Sequence, residues 1–240
     1  MRKGLLPEPG NGRRWLLVIA APAEWCAVMS GRQSELVHQE AEHWCTYEVD
    51  EQFEAVLSGV GKGNASGGTA RVLDTGRHCG VVSIGVGGAL PGSGLELGEV
   101  VIGTFSVYGD EGVQKDDGFE DVAQMGFGPG RDIGRDSVGI ACTPALRHAL
   151  SPIGDQHGSI ATVSTCSGTE AAAAEIEKRT GALAEAMEGA AVGFTTKRLG
   201  GADFPFLELR VISNTTGSRD SQRWDVHRAM ARLSEIAPFL

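Results

Sequence analysis

Three polar residues far apart in the chain could do chemistry together, because each stands where an apolar run stops. Glu24 follows Trp15–Ala20, Glu188 follows Leu183–Met187, and Asn214 follows Phe206–Ser213. A carboxylate can activate water or sit beside a growing positive charge. An amide can donate a hydrogen bond but cannot serve as a general acid. Each residue also has an ordinary reading. A carboxylate beside a helix start complements the helix dipole, and an Asn after a strand is a common turn residue. Two glycine-rich stretches, Gly59-Val60-Gly61-Lys62-Gly63 and Gly85-Val86-Gly87-Gly88, also fall at strand ends.

Other familiar motifs fail on spacing. Lys62 is followed by Gly63 rather than Ser or Thr, and no glycine stands five residues before it, so the first stretch is not a P-loop. A dinucleotide fingerprint would need Gly where Asn64 stands. There is no H-E-x-x-H; His38 and His43 are five apart, off one helical face, and read as solvated. The hydrolase elbow G-x-S-x-G is also absent. The acidic run Asp116-Asp117 to Glu120-Asp121 reads as a solvated loop rather than a metal site. The five cysteines are widely spaced and contain no C-x-x-C, against both a disulfide framework and a cysteine zinc site. No metal and no organic cofactor is expected.

The composition narrows the classes further. The chain has 240 residues, 41% hydrophobic and 22% charged, enough for a substantial core without disulfides. The formal charge of −10 opposes phosphate backbones, so a nucleic-acid partner is not expected. No apolar run reaches the ~18 residues of a membrane span. The run Arg13-Arg14-Trp15 to Pro22-Ala23 has the outline of an export signal. Its brevity favours a first buried strand instead, and with it a cytoplasmic protein.

The candidate residues must be carried by strand-then-helix units. Residues 1–12 read as a flexible tail and 13–240 as one domain. Strands are predicted at Trp15–Ala20, Phe53–Ser58, Val81–Val86, Glu99–Tyr108, Ser159–Ser164, Leu183–Met187 and Phe206–Ser213. Helices are predicted at Ala23–Gly31, Asn64–Thr75, Thr169–Arg179, Gly189–Leu199 and Asp220–Ile236, and residues 109–139 read as loops. The alternation implies a single α/β domain: a central mixed, mostly parallel sheet flanked by helices. Ligands on such sheets sit at the carboxyl ends of the strands, where Glu24, Gly85–Gly88, Met187-Glu188 and Ser213-Asn214 fall.

Taken in order, these segments resemble the nucleoside phosphorylase and nucleosidase superfamily over roughly residues 15 to 237. Ala20-Ala21-Pro22-Ala23-Glu24 is similar to its first strand-loop with the catalytic acid. Gly85-Val86-Gly87-Gly88-Ala89 is similar to its purine and ribose loop. Ala186-Met187-Glu188-Gly189-Ala190-Ala191 resembles its most specific signature, in which Met packs on the ribose and Glu binds the ribose hydroxyls. Within the superfamily the chain looks most like the futalosine hydrolases, nucleosidases of menaquinone biosynthesis. The segments Tyr108–Val113 with Asp117-Gly118-Phe119, and Arg210–Arg219 with Trp224-Asp225, carry that likeness. The methylthioadenosine nucleosidases have Asp where this chain has Asn214. An amide suits a 6-oxopurine, donating to O6 or N7.

The resemblance implies cleavage of the N-glycosidic bond of futalosine, giving hypoxanthine and dehypoxanthine futalosine. It implies Glu24 as general base, Glu188 on the ribose hydroxyls, and Asn214 on the base, supported by Ser213. Val86, Gly87, Gly88 and Met187 would line the substrate. The proton for the leaving base has no assigned source; Asp220 and Asp225 are weak candidates. The benzoate of futalosine needs a cation, and Arg131, Arg135, Arg219 and Arg223 are open choices. A homodimer is expected by analogy. Rival readings are a methylthioadenosine/adenosylhomocysteine nucleosidase, a phosphate-dependent purine nucleoside phosphorylase, and a nucleoside-binding protein without catalysis.

Overall fold

A computed structural model describes residues 4–128 and 138–240. The apolar runs form strands: β1 (Arg14–Ile19), β3 (Phe53–Leu57), β4 (His78–Ala89), β5 (Val100–Tyr108), β9 (Gln156–Thr162), β10 (Ala182–Ala186) and β11 (Phe206–Thr215). Short β2 (Thr46–Glu48) and β8 (Gly139–Ala141) add to the same sheet. Its order is β10-β9-β5-β11-β4-β1-β3-β2, with β8 on β5. Pairings of β1 with β3 and β4, of β4 with β11, and of β9 with β5 and β10 are parallel. Those of β5 with β11 and β8, of β2 with β3, and of β10 with β4 are antiparallel. The fold is therefore the expected single α/β domain with a mixed sheet.

The pairing of β10 with β4 closes β4, β11, β5, β9 and β10 into a ring. The first half of β4 pairs with β1 through Ser83, while its last residues, Gly88 and Ala89, pair with β10. Between them, at Gly85–Gly87, β4 has strand β11 on one flank and no strand on the other. The sheet splits there, and the split is where the candidate residues gather.

Helices α1 (Pro22–Gly31), α2 (Lys62–Val72), α3 (Pro144–Leu150), α4 (Glu170–Thr180), α5 (Gly189–Gly200) and α6 (Val226–Ile236) flank the sheet. α1 packs against α6, and α2 against α5. Their ends follow capping rules. Thr169 accepts the Ala172 N–H and Gly181 ends α4 in the left-handed conformation. Asp225 accepts the Arg228 N–H at the start of α6. The main core joins Leu16, Leu17 and Ile19 of β1 to Phe53, Ile84, Phe206 and Leu209, all essentially inaccessible to water.

Several boundaries differ from the sequence reading. Gly85–Gly88 lie inside β4, not in a loop, because β11 pairs with β4 as far as Ala89. The last helix starts at Val226; residues 220–224 turn instead, and Trp224 bridges to Asn214. Within 109–128 a hairpin forms, β6 (Gly112–Lys115) with β7 (Gly118–Asp121), reversing at Asp116-Asp117. The run Arg14–Ile19, weighed above as an export signal, is an interior strand of the sheet. Residues 4–12 carry the buried Leu6; Leu5 N–H donates to Phe239 O, and Trp15 Nε1 to Pro7 O. No described helix is long and apolar enough to cross a membrane.

Leu17→Ala in this core should cost about 2–5 kcal/mol, read as a lower urea midpoint at unchanged slope.

Candidate active site

Glu24, Val86, Gly87, Gly88, Met187, Glu188, Ser213 and Asn214 all line one cavity of about 470 Å3 at the split in the sheet. Glu24 sits in the first turn of α1. Its Oε2 accepts the Ala21 N–H at 2.9 Å and its Oε1 the Val86 N–H at 2.8 Å. Val86 belongs to the stretch of β4 that has no strand on that flank, so the carboxylate takes the hydrogen bond a strand would have supplied. Glu24 is 4% exposed. Burial pushes its pKa up, while Arg210 and the two backbone donors pull against that rise.

Glu188 stands just before α5 but does not cap it. Thr162 Oγ1 accepts the Ala190 N–H instead, at 2.8 Å. The Glu188 carboxylate turns into the cavity, accepting the Gly61 N–H at 3.0 Å and meeting Arg210 Nη1 at 3.3 Å. Gly61 precedes α2, so the positive end of that helix faces Glu188. The glycine stretch 59–63 thus serves the site through its backbone.

Arg210 lies beneath both glutamates and is fully buried. Its Nε donates to Glu208 at 2.9 Å and its Nη2 to Ser83 Oγ at 3.0 Å. Glu208 is itself inaccessible and accepts a hydrogen bond from Ser106. Burial raises the Glu208 pKa, opposed by Arg210. Three carboxylates thus share one guanidinium. Two glycines make the packing possible. A Cβ at Gly85 would lie 2.4 Å from Glu24 Oε1, and one at Gly189 would lie 1.9 Å from Glu208 Oε2.

Asn214 follows a bulge in β11: Ile212 pairs with Gly87 and Asn214 with Gly88, leaving Ser213 unpaired between them. Ser213 Oγ donates to Asn214 Oδ1 at 2.9 Å. With Oδ1 so held, Nδ2 is the group Asn214 presents; it reaches Thr215 O at 3.0 Å and keeps a second N–H. A Cβ at Gly88 would come within 2.9 Å of that nitrogen.

Residues 38–237 match the family model described as the phosphorylase superfamily. A futalosine hydrolase of Streptomyces coelicolor is 33% identical over 204 residues, 81% of this chain and 82% of its own. A futalosine hydrolase of Acidothermus cellulolyticus is 32% identical over 224 residues, 91% of this chain and 86% of its own. The chain belongs to the phosphorylase superfamily and, within it, to the futalosine hydrolase family. Among solved structures, the 5'-methylthioadenosine/S-adenosylhomocysteine nucleosidase of Campylobacter jejuni superposes with a TM-score of 0.71. At 20% identity, covering 95% of this chain and 96% of that one, it supports the fold alone.

In this member of the futalosine hydrolase family, the sequence reading passed over several cavity residues. Arg210 falls within the predicted strand Phe206–Ser213, with no role at the site expected of it. The signal was there: Glu208 and Arg210 alternate with Leu207, Leu209 and Val211, so two opposite charges share one face of a buried strand. Glu185, on β10, also lines the cavity, as do Ser167, Gln222 and Trp224, brought in by loops whose course the sequence does not reveal. Asp225 caps α6, and neither Asp220 nor Asp225 lines the cavity. Arg223 is exposed and paired with Glu96 at 3.3 Å. Arg131 and Arg135 lie outside the described residues. No group of three His, Cys, Asp or Glu side chains that could hold a metal occurs among the described residues.

Replacing Arg210 should expose the cost of the cluster. Arg210→Met leaves three buried carboxylates without their cation and should destabilise the fold by about 3–5 kcal/mol, measured by urea unfolding.

Proposed function

We propose that this protein hydrolyses the N-glycosidic bond of futalosine, releasing hypoxanthine and dehypoxanthine futalosine. The observation that carries the reading is the meeting of Glu24, Glu188 and Asn214 around one cavity in a chain of the futalosine hydrolase family. A glycosidic bond breaks through an oxocarbenium-like state, with positive charge growing on the sugar. The cavity floor suits that state, because Glu24, Glu188 and Glu208 outnumber Arg210. Glu188 accepts from the ribose 2′ and 3′ hydroxyls with the lone pairs that Gly61 and Arg210 leave free. Met187 packs on the ribose. Glu24 orients the attacking water and takes its proton. Asn214 donates through Nδ2 to O6 or N7 of the departing base, aligned by Ser213.

Hydrolysis is favoured over phosphorolysis by charge. Lys62, the cation nearest the glycine stretch, is paired with Asp110 and Glu111. Arg210 is saturated by carboxylates. A phosphate beside Glu188 would meet Lys62 and Arg210 only as cations already engaged. A role in binding alone would not call for a buried carboxylate where water must be activated.

Arg219 is the cation we assign to the benzoate. It lines the cavity, stacks on the Trp224 ring at 4.7 Å, donates to Gln222 at 3.1 Å, and has no carboxylate partner among the described residues. The reaction fits the cytoplasm: all five cysteines are free, three of them exposed. A homodimer remains part of the proposal, by analogy with the family.

Incubation with futalosine should release hypoxanthine at the same rate with and without phosphate; turnover that requires phosphate would give the site to phosphorolysis. Because the base must be ionised, kcat/KM should fall as pH drops through the Glu24 pKa, which burial holds above the usual 4.5. Glu24→Gln should lower kcat by about 10²–10⁴ and still bind substrate in calorimetry. Arg219→Gln should raise KM for futalosine about tenfold or more, the loss of one charged hydrogen bond, and leave inosine turnover unchanged.

A further inference from the structure

Lys62 stands where a cation is unfavourable. It is the first residue of α2, at the positive end of the helix dipole. Two carboxylates just after β5 offset that cost. Lys62 Nζ donates to Asp110 Oδ1 and, at 3.2 Å, to Glu111 Oε1. The side chains of Lys62 and Asp110 are only 14% and 20% exposed, so water screens their contact less than it would a surface pair. The amine also lies 5.4 Å from the centre of the Tyr108 ring. The other oxygen of Asp110 is used as well. Its Oδ2 accepts the Ser164 N–H at 2.6 Å and the Thr165 N–H at 3.4 Å, just beyond β9. One carboxylate therefore joins α2 to the segment that carries Cys166, Ser167 and Gly168 into the cavity. Neither Lys62 nor Asp110 lines the cavity itself.

The tie ends one residue from the site. Gly61, directly before Lys62, opens α2: its C=O accepts the Ala65 N–H at 2.9 Å, while its N–H is left for Glu188 at 3.0 Å. Its φ of 93° lies in the region that favours glycine. A peptide with that freedom needs an outside anchor if its N–H is to stay on one carboxylate. Lys62, next in the chain, supplies it. We propose that Lys62 and Asp110 are positioning residues, which hold the Gly61 N–H on Glu188 by tying the start of α2 to the carboxyl ends of β5 and β9. This rests on the nucleosidase reading, in which Glu188 carries the ribose hydroxyls, and goes beyond it by naming what aims Glu188. Without the tie Gly61 drifts, Glu188 relaxes toward Arg210, and its bonds to the hydroxyls weaken. Asparagine cannot stand in for Asp110. It has one acceptor oxygen where the carboxylate uses two, and its NH2 would face a donor.

The test compares futalosine with 2′-deoxyfutalosine on wild type, Lys62→Met, Asp110→Asn and Glu111→Gln. A substrate without the 2′ hydroxyl never makes the bond to Glu188 that the tie protects. The futalosine to deoxy ratio of kcat/KM should therefore fall about tenfold in Lys62→Met and in Asp110→Asn, the worth of one charged hydrogen bond. Glu111→Gln leaves Asp110 on Lys62 and should keep the ratio. An equal loss on both substrates would reduce the tie to a support for the fold and overturn the inference. So would a Glu111→Gln variant that lowers the ratio as far as Asp110→Asn. Should Asp110→Asn not fold, Lys62→Met decides alone, since removing a cation from the start of a helix favours α2 itself. A wild type that releases no hypoxanthine from futalosine would instead remove the nucleosidase reading, and the inference with it.

Discussion

One buried guanidinium organises this active site. Arg210 touches Glu208 on its own strand and Glu188 at the start of α5, and its charge acts on Glu24 in α1. Those residues come from three parts of the chain, so the ion cluster is also what ties β11, α5 and α1 at their functional ends. A buried pair adds little net stability, yet breaking it leaves uncompensated charge. Such a cluster specifies one arrangement more than it strengthens it. It also leaves the cavity floor with more negative than positive groups, the field a growing oxocarbenium requires.

The second constraint is the incomplete pairing of β4. Strand β1 leaves it after Ser83 and β10 joins it at Gly88, so the backbone between must find other partners. Val86 N–H finds Glu24. A strand that would otherwise expose an unpaired donor in the interior thereby fixes a carboxylate facing the cavity. Gly85 and Gly88 are necessary for packing rather than for backbone freedom: neither has a positive φ, and side chains at either would strike Glu24, Arg210 or Asn214.

The Asn214 end of the cavity is built differently. Among the described residues it has no buried cation, and its polar groups are a bulge-positioned amide, a carboxylate held by a serine, and the 217–224 loop with Gln222 and Arg219. Gln222 Nε2 donates to Ser167 O, and Arg219 N–H donates to Gly168 O. The two loops therefore hold each other. The Arg210 end is preorganised by charge, and the Asn214 end by hydrogen-bond direction.

The sequence alone carried the alternation of strands and helices, since a buried strand and an Ala-rich helix such as α4 are written in local pattern. It also marked Glu24, Glu188 and Asn214, because a polar side chain directly after an apolar run is a local anomaly. It could not say whether the Glu188 side chain caps a helix or faces the cavity; Thr162, 26 positions earlier, takes the cap and frees it. It did not reveal the ring closed by β10 or the split in β4. Those depend on which strands become neighbours and in what register. That is decided by burial summed over the whole core and by where each backbone donor finds an acceptor, not by any single stretch of chain.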